Sequence, residues 1–185
     1  GERMIPAGDG VVSVEIPWAD PVTWEVGRPY GYTCRYRILR NGKAVDALPD
    51  FTFGFREAWR EGNELMLNGH VQRLRTVYPH GVDTVAGMSF LRMIGYNAIH
   101  FSHNFNMTQD LRDIGKYQVA SDCGMAMCLG AASMYHVRDR MRTDEYVRRQ
   151  YLAYQREWMK SVRNIPGAFV FYVAVNTSCP TTNMD

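Results

Sequence analysis

The stretch Gly95-Tyr96-Asn97-Ala98-Ile99-His100-Phe101-Ser102-His103-Asn104 gathers the residues best suited to chemistry in this chain of 185 amino acids. Ser102, His103 and Asn104 set a hydroxyl, an imidazole and a carboxamide side by side, a group that can both donate to and accept from a polyhydroxylated ligand. The apolar Ala98, Ile99 and Phe101 before them read as a buried strand. The polar trio therefore falls at a strand exit, where parallel α/β folds assemble ligand sites. A polar loop cap around a satisfied histidine explains the same residues equally well. His100 and His103 also have a short spacing, but no carboxylate or cysteine pair completes a ligand set, so no metal is expected. Cys34, Cys123, Cys128 and Cys179 are scattered through apolar stretches without a C-x-x-C pair, and read as buried free thiols.

The elements that must position these groups change character along the chain. Residues 11–17 and 30–39 alternate in the period-two manner of half-buried strands. Asn41-Gly42 supplies a hairpin turn, so residues 43–46 pair back, and Phe51–Phe55 makes a further strand. After a turn at 61–63 come a short strand at 65–67, a second turn at Asn68-Gly69, and an extended segment over 71–77. From there strands and helices alternate. The pattern predicts helices over 84–94, 108–121 with Thr108 as N-cap and Leu111 and Ile114 facing the core, and 143–163. It predicts strands over 98–102, 125–129 and 168–175. In the last helix Val147, Tyr151, Tyr154, Trp158 and Val162 form a packing stripe, and Asn164-Ile165-Pro166 stops it. Trp18, Trp24, Trp59 and Trp158 read as core or interface residues.

Such alternation implies a parallel sheet with right-handed crossovers, either doubly wound or a (β/α)8 barrel. Neither G-x-G-x-x-G nor a P-loop follows the first strand, which favours the barrel and implies no nucleotide cofactor. A barrel needs about 200–250 residues, so the stretch after Phe55 has room for about half of one. The all-β beginning has too few strands to close a sandwich. Composition agrees with a globular protein, with 46% hydrophobic residues. A net charge of +2 leaves no electrostatic footprint for nucleic acid. No apolar run approaches the ~20 residues that cross a bilayer, and Gly1–Pro6 has no signal-peptide core.

Six short motifs in order resemble glycoside hydrolase family 2, the β-galactosidase, β-glucuronidase and β-mannosidase group. Pro17-Trp18 through Trp24 with Arg28-Pro29-Tyr30-Gly31-Tyr32 is similar to the W-x-n-P-Y-L-Y segment of its immunoglobulin-like sandwich. Phe53-Gly54-Phe55-Arg56 resembles its F-G-F-R joint, and Leu67-Asn68-Gly69-His70 through Leu74-Arg75 its L-N-G-x-x-x-x-L-R first barrel strand. Gly95–Asn104 resembles G-x-N-A-V-R-x-S-H-x-P, Asp122-Cys123-Gly124-Met125 the D-E-x-G-[IM] entry to the third strand, and Arg163-Asn164-Ile165-Pro166 the R-N-H-P before the fourth. The resemblance implies the end of a sandwich over 1–56 and the first half of a TIM barrel over 57–185. It also implies hydrolysis of β-linked carbohydrate by two carboxyl groups with retention.

Under that resemblance Ser102, His103 and Asn104 face substrate, and Asn176 corresponds to the asparagine that contacts the sugar. Thr177 stands where the acid/base glutamate belongs, and no Asp or Glu occurs from Asn164 to Met184. His100 replaces an arginine of the family pattern, and Ala131-Ala132 follow the third strand where many members have an acid. The nucleophile would lie beyond Asp185. The chain is therefore expected to be an inactive piece of a hydrolase, or alternatively a non-catalytic carbohydrate-binding protein. A third expectation is self-association through an exposed barrel edge.

Overall fold

The computed structural model describes residue 4 and residues 13–78, 83–101, 107–131 and 138–173. A strand-rich first part precedes a parallel sheet with helices. The first part runs β1 (Tyr32–Cys34), β2 (Arg37–Arg40), β3 (Lys43–Ala47), β4 (Phe51–Phe53), β5 (Ala58–Glu61), β6 (Glu64–Leu67) and β7 (His70–Gln72). β1 pairs antiparallel with β4, β2 with β3, and β5–β6–β7 form a meander. Asn-Gly turns close the β2–β3 and β6–β7 hairpins. Asn41 and Gly42 have φ of 50° and 74°, and Asn68 and Gly69 have 48° and 83°, the left-handed pair that matches strand twist.

The second part runs β8 (Thr76–Val77), α1 (Val85–Met93), β9 (Ala98–Phe101), α2 (Met107–Asp122), β10 (Ala126–Ala131), α3 (Arg138–Thr143), α4 (Glu145–Val162) and β11 (Ala168–Val173). Its four strands are parallel and neighbour one another in chain order, β8-β9-β10-β11. The order never reverses, so the described sheet has no switch point of the doubly wound kind. One core fills the space between sheet and helices. Met88 and Leu91 of α1, Ile99 of β9, Tyr117 and Ala120 of α2, Met127 and Leu129 of β10, and Trp158 and Val162 of α4 meet there.

Several boundaries differ from the sequence pattern, each for a local reason. The run 30–39 is two strands in different sheets, because Arg35 turns out to grip Asp50 through Nε (3.0 Å) and Nη2 (2.7 Å) between them. The segment 71–77 divides between the meander and the parallel sheet. Helix 143–163 begins late, since Asp144 accepts from the amides of Tyr146 (3.0 Å) and Val147 (3.2 Å) and so caps α4, separating it from α3. Thr108 is inside α2 rather than its cap, because the helix already includes Met107. Residues 13–17 join no strand, and Val14 and Ile16 are exposed with no ladder partner among the described residues. β5 carries no clean alternation and was not expected. Of the four tryptophans, Trp24 and Trp158 are buried, whereas Trp18, packed edge-on against Tyr32, Phe53 and Phe55, and Trp59 are partly exposed.

The two parts meet at a dense joint. The half-buried Arg56 guanidinium donates to the carbonyls of Pro166, Arg163 (3.3 Å) and Ala168 (2.8 Å) and lies 5.9 Å from the Phe169 ring centroid. Trp24 is buried, with Nε1 donating to the Ser121 carbonyl at 3.0 Å and its own carbonyl accepting from Asn68 Nδ2 at 2.9 Å. Arg92 of α1 donates to the carbonyls of Cys123 and Gly27, both at 2.9 Å. At Gly54 a Cβ would come within 2.7 Å of Pro166 Cγ. Gly54→Ala should therefore destabilise the protein by about 1–3 kcal/mol through overpacking. Gly115→Ala, in α2 with nothing within 4 Å of the added carbon, should stabilise it by ~0.5–1 kcal/mol. Urea denaturation of the two variants reads both signs.

Candidate functional site at the carboxyl edge of the parallel sheet

Because the four strands are parallel, their carboxyl ends at Val77, Phe101, Ala131 and Val173 share one edge of the sheet. Ser102, His103 and Asn104 follow β9 directly, and Asn176 and Thr177 follow β11 by three and four residues. These five lie outside the described residues. Their strands do not: β10 separates β9 from β11, so the two exits are set roughly 10 Å apart by two inter-strand spacings.

Alternation decides which strand residues look away from the helices. Ile99, Met127 and Leu129 belong to the core, and Phe101 packs against it with its ring 5.0 Å from that of Tyr117. Their neighbours in sequence, His100 and Cys128, therefore occupy the opposite face. His100 and Cys128 are register partners across β9 and β10, and Val170 of β11 pairs with Cys128. Tyr78, just past β8, sets its ring 5.6 Å from the His100 ring at 87°. Thr76 of β8 is the register partner of Ala98, two residues before His100, and so shares that face.

A cysteine beside a histidine invites comparison with a nucleophilic pair, but the electrostatics oppose it. Burial pushes the Cys128 thiol up, against a smaller opposing effect of Thr76. Burial likewise pushes the His100 imidazole down. Both groups are driven toward neutrality, whereas an activated thiol needs the thiolate stabilised by a cationic neighbour. This face is thus a wall of uncharged hydrogen-bonding and ring groups. From the sequence, His100 stands out as a departure from a family arginine and for its short spacing to His103. The grouping with Tyr78, Thr76 and Cys128 was legible only through the register of β8, β9 and β10.

The thiols also differ from expectation, since Cys34, Cys123 and Cys128 are free but half-buried, and Cys179 lies outside the described residues. No group of three or more His, Cys, Asp or Glu side chains gathers among the described residues. No helix among them is long and apolar enough to cross a membrane.

No family model and no curated protein matches the chain. Solved structures do match in fold. A β-galacturonidase of glycoside hydrolase family 2 from Eisenbergiella tayi, bound to galacturonate, superposes with a TM-score of 0.65 at 20% identity, over 86% of this chain and 29% of that one. A β-glucuronidase from Ruminococcus gnavus in complex with D-glucaro 1,5-lactone gives 0.64 at 18% identity, over 83% and 27%. A glycosyl hydrolase family 2 member from Bacteroides cellulosilyticus gives 0.58 at 18%, over 82% and 20%. The chain shares their fold over most of its length and spans less than a third of theirs.

The neutral His100 has a measurable consequence. Its folded pKa is lowered, so the unfolded chain binds more protons as the pH falls below about 6.5. Stability should decline from that point down through the folded value, and His100→Gln should flatten the decline. Chemical denaturation between pH 4.5 and 7.5 measures the slope; the same slope in the variant would locate it in another group.

Proposed function

We propose that this chain handles β-linked carbohydrate at the carboxyl edge of its parallel sheet. In this reading residues 1–56 are the end of an immunoglobulin-like sandwich and residues 57–185 the first half of a (β/α)8 barrel of the glycoside hydrolase family 2 kind. The observation that carries the reading is the unreversed parallel order β8-β9-β10-β11, the order expected of a barrel wall whose strand ends converge on one mouth. The likeness to folds crystallised with galacturonate and D-glucaro 1,5-lactone supports it, and favours acidic sugars as the ligand class.

His103 and Asn104 from the β9 exit and Asn176 from the β11 exit then bracket one sugar ring across β10, with Ser102 completing the rim. Neutral donors and acceptors suit hydroxyl recognition, because each can reorient to satisfy an equatorial or axial group. Turnover is another matter. A threonine hydroxyl at 177 is far too weak an acid to protonate a leaving oxygen near neutral pH. Retention also needs two carboxyl groups about 5–5.5 Å apart. The chain on this reading binds sugar and does not cleave it.

Calorimetric titration with galacturonate and glucuronate is expected to give saturable binding, weakened about tenfold, or 1.4 kcal/mol, by His103→Ala and by Asn176→Ala. Aryl β-glucuronide and aryl β-galacturonide are expected to release no aglycone. Absence of any binding would sink the proposal, and release of aglycone would sink the role given to Thr177.

A further inference from the structure

The side chains of β11 change face partway along the strand. Ala168 pairs with Met127 and lies in the core beneath the helices. Phe171 pairs with Leu129 and sets its ring 6.2 Å from that of Trp158 of α4, so it faces the helices as well. In an unbroken strand, residues this odd number of positions apart look to opposite sides. The pairing supplies the reason. Met127 is opposite Ala168, but Cys128 is opposite Val170, which leaves Phe169 as an extra residue without a partner on β10. β9 and β10 pair over the same stretch without any shift. Phe169 is thus a β-bulge, and beyond it the alternation is the reverse of what an unbroken ladder gives.

A bulged residue is left out of the ladder, so contacts outside the ladder must favour it. The joint provides them. The Phe169 ring lies 6.2 Å from that of Trp24 and 5.9 Å from the Arg56 guanidinium. Arg56 also holds the main chain leading into the bulge. The Gly167 carbonyl accepts from the Met127 amide across the ladder at 2.7 Å, while the carbonyls of Pro166 and Ala168, on either side of it, accept from Arg56. Trp24 and Arg56 act as one unit, because the Trp24 amide donates to the carbonyl of Phe55 at 2.8 Å.

We infer that Trp24 and Arg56 are positioning residues for the β11 exit: by holding Phe169 out of the ladder they turn Val170, and the alternation that follows it, toward the face of His100 and Cys128. The inference rests on the carbohydrate reading above for what stands at that exit. Asn176 is an even number of residues beyond Val170, so on a strand continued to the exit the two share a face. The bulge then aims Asn176 into the site, and an unbulged β11 aims it at the helix layer. A contact at the start of the strand thereby decides which side chains of its far end can reach a sugar.

Nuclear Overhauser contacts between β10 and β11 read the pairing without any ligand. The wild type is expected to pair Cys128 with Val170. Phe169→Ala and Arg56→Gln are each expected to move that partner to position 169 while the β9–β10 contacts stay as they are. In calorimetric titration with galacturonate, Phe169→Ala is expected to weaken binding as much as Asn176→Ala does, and the two together no further. His103→Ala, at the other exit, is expected to keep its loss of about tenfold in the Phe169→Ala background. Cys128 paired with Phe169 in the wild type, or with Val170 in both variants, would overturn the inference, as would an undiminished effect of Asn176→Ala in a slipped variant. A slip seen by resonance in a protein whose wild type binds no sugar overturns the carbohydrate reading instead.

Discussion

A guanidinium held by main-chain carbonyls organises this molecule. Arg56 leaves the strand-rich part and reaches the turn before β11, where it satisfies the carbonyls of Arg163, Pro166 and Ala168 with no carboxylate partner among the described residues. Burial pushes its pKa down, yet a guanidinium stays charged, so the half-buried cation is favoured by the carbonyls that replace its lost water. The turn is in consequence specified by a residue more than a hundred positions earlier. Trp24 performs the matching task from another segment, linking the β6–β7 turn through Asn68 to the end of α2 through Ser121. The direction of β11, and with it the fourth wall of the sheet, depends on these two side chains.

This explains which parts of the architecture were legible in the sequence. Motifs that seemed separate are in contact: Gly54 and Arg56 of Phe53–Arg56 lie on Pro166 and Arg163 of the Arg163–Pro166 segment. Two further motifs are joined at the start of β8 and β9, where the Arg75 amide donates to Asn97 Oδ1 and the Arg75 guanidinium donates to the Gly95 carbonyl. Buried strands and the α4 stripe were readable because periodicity reports burial directly. The break at Asp144 and the division at Arg35 were not, since each depends on a polar side chain choosing a particular main-chain or carboxylate partner. The site residues after β9 and β11 follow from resemblance alone, whereas the inner-face group around His100 follows from strand register.

The inner face also clarifies what kind of surface the fold presents. Residues that titrate elsewhere are neutralised here by loss of water, and the two nearest candidates for covalent chemistry are shifted in opposite directions, each toward its uncharged form. A wall of this kind recognises by shape and hydrogen bonding. Reaction on it would require carboxyl groups supplied from elsewhere along the carboxyl edge of the sheet.

The β2–β3 hairpin is the opposite of the joint. Every residue of both strands is exposed, and its Asn41-Gly42 turn closes a ladder that pairs with no third strand among the described residues. Opening it uncovers little apolar surface, so its amides trade protons with solvent through a local fluctuation rather than through global unfolding. The amides of β9 and β10, buried beneath three helices, have no such shortcut. One chain therefore contains a segment whose order is set by a single two-stranded ladder and another whose order is that of the whole molecule. A protease or a pairing strand arriving from solution would find the first long before the second.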